Sequence, residues 1–365
     1  MTSWKTYKLG DVCSRLRSGR GIPASEVSTC GKFAVIGGNG VRGYADKSNF
    51  NGQCVVVGRQ GAYCGNVRYF DGEFYMTEHA VVIVGNELAD THFLAYLLST
   101  MHLGQLSAQS AQPGLSVQTL SKLEISLPSL EEQRRIAGIL GAIDDKIENN
   151  RRINDNLEQQ AQALFDEWFV NDSTQPAEYN RASLTDIANY LNGLAMQRFR
   201  PQSDEKAIPV LKIKELGQGM CDSSSDICSQ SIDSKYIVND GDIIFSWSGT
   251  LLVDIWCGGI CGLNQHLFKV TSDKYPKWFV YYWTKYHLAK FIRIAKDKAV
   301  TMGHIKRGDL ETSEVLIPNA EILSKMDNII APIFDAIISR RVENKNLATL
   351  RDTLLPKLMN GEIKL

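Results

Sequence analysis

The chain is one unit written twice, and this repetition constrains its fold more than any single motif. At an offset of about 190 residues, Ile125-Ser126-Leu127-Pro128 recurs as Val315-Leu316-Ile317-Pro318, and 147–157 (IENNRRINDNL) recurs as 337–347 (IISRRVENKNL). Upstream, Thr77-Glu78-His79 echoes Asn264-Gln265-His266, and Leu9-Gly10-Asp11-Val12 echoes Leu184-Thr185-Asp186-Ile187. Each copy opens with a β-rich part. Short apolar runs predict strands at 33–36, 54–57 and 80–84 in the first copy and at 210–213, 242–245 and 266–270 in the second. Glycine-rich turns punctuate them. A helix follows at 91–106, and its counterpart at 276–296.

After Pro128 and Pro318 each copy reads as one long helix. Ile136, Leu140, Ile143, Ile147, Asn150, Asn154, Leu157, Ala161, Leu164 and Trp168 are spaced alternately four and three apart. In the second copy the same register runs through Met326, Ile330, Ile333, Ile337, Arg340, Asn344, Leu347, Arg351, Leu354 and Leu358. A sustained 3.5-residue period is the signature of a left-handed coiled-coil seam. The expected partner of each helix is the other; the alternative is that each packs on its own lobe. Asn154 and Asn344 hold matched seam positions, where a buried amide sets register at some cost in stability. Pro332 predicts a kink or a late start near Ala331 in the second helix.

Composition narrows the class. Of 365 residues, 44% are hydrophobic, too many for a disordered chain, and no apolar run approaches a membrane span. The first residues hold no apolar signal-peptide core. The eight cysteines lack zinc-ligand spacing and read as reduced, mostly buried thiols of a cytoplasmic protein. No metal site is expected.

Nor does a catalytic constellation assemble. Gly38-Asn39-Gly40-Val41-Arg42-Gly43 matches a dinucleotide fingerprint, but a turn-rich stretch follows it where that motif needs a helix. Gly58-Arg59-Gln60-Gly61 lacks the Lys-Ser/Thr of a P-loop. There is no nucleophile elbow, no zinc helix, and no Asn/Asp-Pro-Pro-aromatic tetrad for holding a target amine. His79 and His266, matched by the repeat, are expected to share a structural or contact role.

Two β-rich lobes, each closed by an Ile/Val-x-Ile/Leu-Pro strand and followed by a heptad helix, resemble the specificity subunit of type I restriction–modification enzymes. The residues that carry the likeness are 127–136 (LPSLEEQRRI), 143–147 (IDDKI), and the strand and glycine loop 241–249 (GDIIFSWSG), with a degenerate first copy from Gly52 to Gly61. The resemblance spans essentially the whole chain. It implies an α+β fold with two target recognition domains (1–128 and 173–318) and two long conserved spacer helices (129–172 and 319–365). These helices would form an antiparallel coiled coil with an internal pseudo-two-fold repeat. It also implies a non-catalytic subunit that reads a split, asymmetric DNA target and docks two methyltransferase subunits, with restriction (motor-nuclease) subunits added for phage defence. S-adenosylmethionine and ATP/Mg would sit on those partners, and none would be bound by this chain. The second helix start, Pro318-Asn319-Ala320-Glu321-Ile322, lacks the Glu-Glu-Gln run of the first, which weakens the expectation of docking there. A helix over 131–168 would be ~57 Å long, enough to set two readers on successive ~34 Å turns of B-DNA.

On that reading the DNA-facing residues of the first lobe are Asn39, Arg42 and Lys47 in the glycine loop, Arg59 and Gln60 at a strand end, Arg68, and the amides Gln109 and Gln112. Arginine suits guanine and glutamine suits adenine. In the second lobe they are Arg198, Arg200, Lys212, Lys214, Trp247, Ser248, Thr250, Lys298, His304, Lys306 and Arg307; Trp247 suits a core position equally well. The net charge of −1 opposes a DNA binder only until it is divided. Residues 129–172 hold 5 basic and 10 acidic residues, whereas 15–47 hold six basic against two acidic and 277–307 eight against one. Clustered cations fit phosphate contact. The competing readings are a coiled-coil scaffold that binds only proteins, and a self-contained enzyme.

Overall fold

The computed structural model describes residues 4–107, 114–171, 179–297 and 303–365. They form two compact units, Met1–Asp145 with Ala348–Leu365, and Lys146–Leu347. Two 40-residue helices, Leu130–Phe169 and Ala320–Met359, contribute a segment to each unit.

The first unit is built on a six-stranded sheet in the order Cys13–Ser18, Ala80–Gly85, Phe50–Gly58, Val67–Met76, Phe33–Gly37, Gly40–Ala45. Its pairs are antiparallel except Phe33–Gly37 with Val67–Met76. The central strands are continuous apolar runs, Val55-Val56-Val57 and Ala80 to Ile83, because both faces are covered. One face packs on the helix Thr91–Thr100, capped by Asp90. That core takes in Ile136, Ala137 and Leu140 of the first long helix and Leu358 and Met359 of the second. The predicted helix over 91–106 ends at Thr100 and resumes as a short 3-10 turn, Leu103–Leu106.

The second unit splits most of its strands between two four-stranded sheets. One runs Asn189–Asn192, Leu267–Thr271, Ile243–Ser246, Leu252–Ile255; the other runs Ile227–Ser229, Ala207–Leu211, Cys261–Leu263, Ile237–Val238. An aromatic core of Phe279, Tyr282 and Trp283 gathers Ala161, Phe165 and Phe169 of the first long helix with Met326, Ile330 and Phe334 of the second. The expected helix over 276–296 is two helices, Lys277–Tyr286 and Leu288–Asp297, meeting at His287, whose Nε2 bonds the Glu314 carbonyl at 2.8 Å. The strand expected over 210–213 stops at Leu211, and Lys212 instead caps the helix Ile213–Gln218.

The repeat is visible in the closing ladders. Lys5–Lys8 pairs antiparallel with Glu124–Leu127, and Asn180–Ser183 pairs in the same way with Glu314–Ile317. Each long helix begins just after the second strand of such a pair. At the first start, the buried Gln133 accepts from Asp90 N at 2.9 Å and donates to the carbonyls of Leu88 and Pro128, both at 3.0 Å. The second copy has Leu323 at that position, and its helix is opened by Asn319, whose Oδ1 accepts from Ile322 N at 2.9 Å.

The long helices meet along the expected seam. Asn154 Nδ2 donates to the Ile337 carbonyl at 3.2 Å, and Asn344 Nδ2 donates to the Ile147 carbonyl at 3.2 Å. Asn150 adds bonds to Asn344 Oδ1 at 2.9 Å and Glu343 Oε2 at 2.7 Å. Arg341 bridges Glu158 and Asp254, each at 2.7 Å, and Arg351 reaches Asp144 at 2.7 Å. The pairing is antiparallel, and the helix ends also pack into the cores of the two units, so the two packing alternatives coexist. Pro332 does not delay the second helix, which starts at Ala320. Asn328, whose carbonyl loses its helical partner to the proline ring, is exposed to water.

Replacing Asn154 or Asn344 with alanine removes one buried amide-to-carbonyl bond. Each variant is expected to lose about 1 kcal/mol and to melt earlier, as read by a thermal unfolding curve. A variant melting with the wild type would show that the seam amides do not hold the helix pair.

Candidate nucleic-acid interface

In the first unit the strand Phe50–Gly58 ends against two other segments. Arg59 N donates to the His79 carbonyl at 3.0 Å, and Leu115 N donates to the Arg59 carbonyl at 2.8 Å. Gln60 forms an isolated bridge with Gly114. Three chain segments thus meet: the loop after a central strand, the turn before the next strand, and the segment from Gly114. The approach is close. A Cβ on Gly58 would stand 2.2 Å from the Tyr63 carbonyl oxygen, and one on Gly38 would stand 3.0 Å from that of His79.

The second unit builds the same junction from different residues. Trp247 N donates to the His266 carbonyl at 3.4 Å, Ile305 N donates to the Trp247 carbonyl at 3.1 Å, and Ser248 bridges His304. Trp247 therefore replaces Arg59, Ser248 replaces Gln60, and His266 replaces His79, as the repeat offset in sequence suggested. The buried Ser246 hydroxyl ties the loop by donating to the Thr250 carbonyl at 2.7 Å.

Around the first junction, Asn39 and Arg68 line one cleft of about 680 Å³ and bond each other at 3.4 Å. His102, on the same cleft, holds the left-handed conformation at φ 47°. Arg42 is exposed on the strand Gly40–Ala45, and Lys47 is engaged by Glu26. Arg59 is half-buried and Gln60 exposed. Among the described residues neither Arg42 nor Arg59 makes an ion pair. Gln109 and Gln112 lie outside the described residues.

Around the second junction, Trp247 is half-buried and stacks on Phe268 with centroids 5.7 Å apart. Its indole N–H donates to Asn192 Oδ1 at 2.9 Å. Its ring and its polar handle are thus both in use, and it forms one wall of a cleft of about 780 Å³ with Tyr190, Asn192, Ile305 and Arg307. Ser248 is buried, Thr250 is exposed, and His304 is exposed beside the Trp247 ring. Arg198 and Arg200 flank exposed Phe199. Lys306 caps the helix Arg307–Glu311, and Arg307 lies 3.7 Å from Glu311. Lys212 is paired with Asp226, whose carboxyl it holds below the usual carboxylate range by hydrogen bonding and charge; Lys214 reaches Ser224 and Asp222. Lys298 lies outside the described residues.

Sequence reasoning assigned no contact role to Gln265, Asn192 or Phe268, which the fold brings to the second junction. The signal for Gln265 was the echo of Glu78-His79 in Gln265-His266. Asn192 and Phe268 left no signal, because they arrive from separate strands. Among the described residues no group of three or more His, Cys, Asp or Glu is set to hold a metal ion, and no helix is long and apolar enough to cross a membrane.

With this geometry in hand, comparison with known proteins defines the class. The chain belongs to the type I restriction modification DNA specificity family, whose model matches residues 1–159 and 176–351. It is 30% identical over 302 residues to the type I restriction enzyme MjaIX specificity subunit of Methanocaldococcus jannaschii, covering 75% of this chain and 69% of that protein. It is 22% identical to the HindI specificity subunit of Haemophilus influenzae over the full length of both. The crystal structure of the type I S subunit from M. genitalium superposes with a TM-score of 0.72 at 17% identity, covering 98% of this chain and 96% of that one, so the fold is shared.

Gly58→Ala would force the first junction apart, at a cost of about 1–3 kcal/mol. The expected outcome is a lowered melting temperature, with protease nicking appearing first within 58–66. An unchanged melt would mean the close approach is not required.

Proposed function

We propose that the chain is the sequence-reading subunit of a type I restriction–modification complex, and that each unit reads one half of a split, asymmetric DNA target. The observation that carries this is the duplicated junction. One backbone arrangement occurs twice and carries exposed Gln60 beside Arg59 in one copy, and half-buried Trp247 beside buried Ser248 in the other. A scaffold that bound only proteins would have no need of one loop frame repeated with unlike side-chain edges. Base edges in the major groove are told apart by such edges: arginine for guanine, glutamine for adenine. Phosphate contacts would come from Arg198, Arg200, Lys306 and Arg307, which position the reader without specifying sequence.

In this reading the chain performs no chemistry. Two methyltransferase subunits would bring S-adenosylmethionine and modify adenine, restriction subunits would bring ATP and Mg, and the assembly would act in the cytoplasm. The acidic surplus over 129–172 would face a protein, and the local basic clusters would face DNA, with affinity falling as salt rises.

Long-read methylome sequencing of cells with and without the gene tests this directly. Adenine methylation at one split, asymmetric motif should vanish with the gene; its retention at every motif would end the proposal. A narrower test is Arg59→Ala in the assembled complex, which should change or abolish readout of one half-site. Equal weakening of both half-sites would show that Arg59 only touches phosphate.

A further inference from the structure

The second junction has a polar edge that its loop does not supply. Trp247, standing where the first unit has Arg59, turns its ring onto Phe268 and its N–H to Asn192, and Ser248 is buried. The neighbouring turn Asn264–His266 is held tightly. Buried Asn264 donates its N–H to the Leu211 carbonyl at 3.2 Å, its carbonyl accepts from Leu267 N at 3.0 Å, and its Oδ1 accepts from His266 N at 3.2 Å. Half-buried Gln265 occupies the tip of this fixed turn.

Its side chain is oriented as well. Gln265 Nε2 lies 3.3 Å from His266 Nε2, and His266 Nδ1 lies 3.0 Å from Ser248 Oγ. An amide nitrogen only donates, so His266 Nε2 accepts, and its Nδ1 carries the proton and donates to the serine hydroxyl. This relay occupies one N–H of Gln265. The second N–H and Oε1, adjacent on the planar amide, make no hydrogen bond among the described residues. A donor and an acceptor side by side match the N7 and N6 groups of adenine in the major groove.

The first unit holds a different pair in the same place. Glu78 Oε1 lies 3.2 Å from His79 Nε2, and its other oxygen is buried without a partner. A carboxylate so placed cannot offer the donor–acceptor pair, so there the reading falls to Arg59 and Gln60. We infer that Gln265 is a specificity-determining residue for one adenine in the half-site read by the second unit, and that His266, through Ser248, is the positioning residue that aims it. The inference rests on the reading of the chain as a DNA-recognition subunit.

The test uses the chain assembled with its methyltransferase subunits, acting on a randomised duplex library, with methylated products sequenced. Gln265→Glu is nearly isosteric and should fold. It should cut discrimination at a single A·T position of one half-site by roughly 5- to 150-fold, the range for one bidentate base contact, and leave the other half-site unchanged. His266→Ala should weaken the same position, and in combination with Gln265→Ala should add little, because the two act as one unit. A merely structural His266 would instead lower methylation at all positions and add to Gln265→Ala. Unchanged preferences in Gln265→Glu, or a change centred on a G·C pair, would overturn the inference while leaving the split-target reading intact. A wild-type complex with no motif would overturn both.

Discussion

A cluster of seam amides, Asn150, Asn154 and Asn344, ties the two long helices together and fixes the alignment on which the packing around them depends. Asn154 bonds Ile337 and Asn344 bonds Ile147, so donors and acceptors are exchanged between repeat-matched positions at the same distance of 3.2 Å. A seam of isoleucines and leucines alone would tolerate a slip by a heptad, because apolar contact has no direction. The amide contacts between side chains do not: a heptad slip would part Asn150 from Asn344 and Glu343, which have no polar amide or carboxylate counterpart one heptad away. The device has a cost, visible in the Oδ1 atoms of Asn150 and Asn154, which are buried without partners. The ion pairs Arg341–Glu158 and Arg351–Asp144 agree with the same alignment.

The two β-rich parts apply a different principle, constancy of backbone with exchange of side chains. Both junctions are closed by main-chain bonds, which do not depend on residue type, while the residues that close them differ. The surrounding sheets are not copies: one unit has a single six-stranded sheet, the other two sheets of four. A scaffold fixed by backbone hydrogen bonds can therefore change what it presents without rebuilding its core. Rigid strand ends and tight turns also hold side chains more closely than a long loop would.

Much of this was legible in the sequence for a definite reason. The heptad period named the seam residues, all of them at least half-buried in the fold, because a helix meeting a helix reads out as spacing along one chain. Central strands such as Val55 to Val57 were legible as apolar runs. The break at His287 was not: Trp283 to Phe291 keeps a helical look, and only the bond from the histidine ring to Glu314 in a distant strand shows what the interruption serves. The late start expected at Pro332 failed because a proline at an exposed position costs one carbonyl its partner, and water supplies another.

By itself, then, the sequence determined the duplication, the heptad seam of each long helix and the two β-rich parts, since each rests on a local period or a repeat. Only the tertiary structure decided which polar groups were already occupied. Lys212 and Lys47 look like free cations in sequence but are engaged by Asp226 and Glu26, and Trp247 gives its ring and N–H to Phe268 and Asn192. Availability for a ligand depends on what else a side chain touches, and those partners arrive from strands that sequence spacing does not relate.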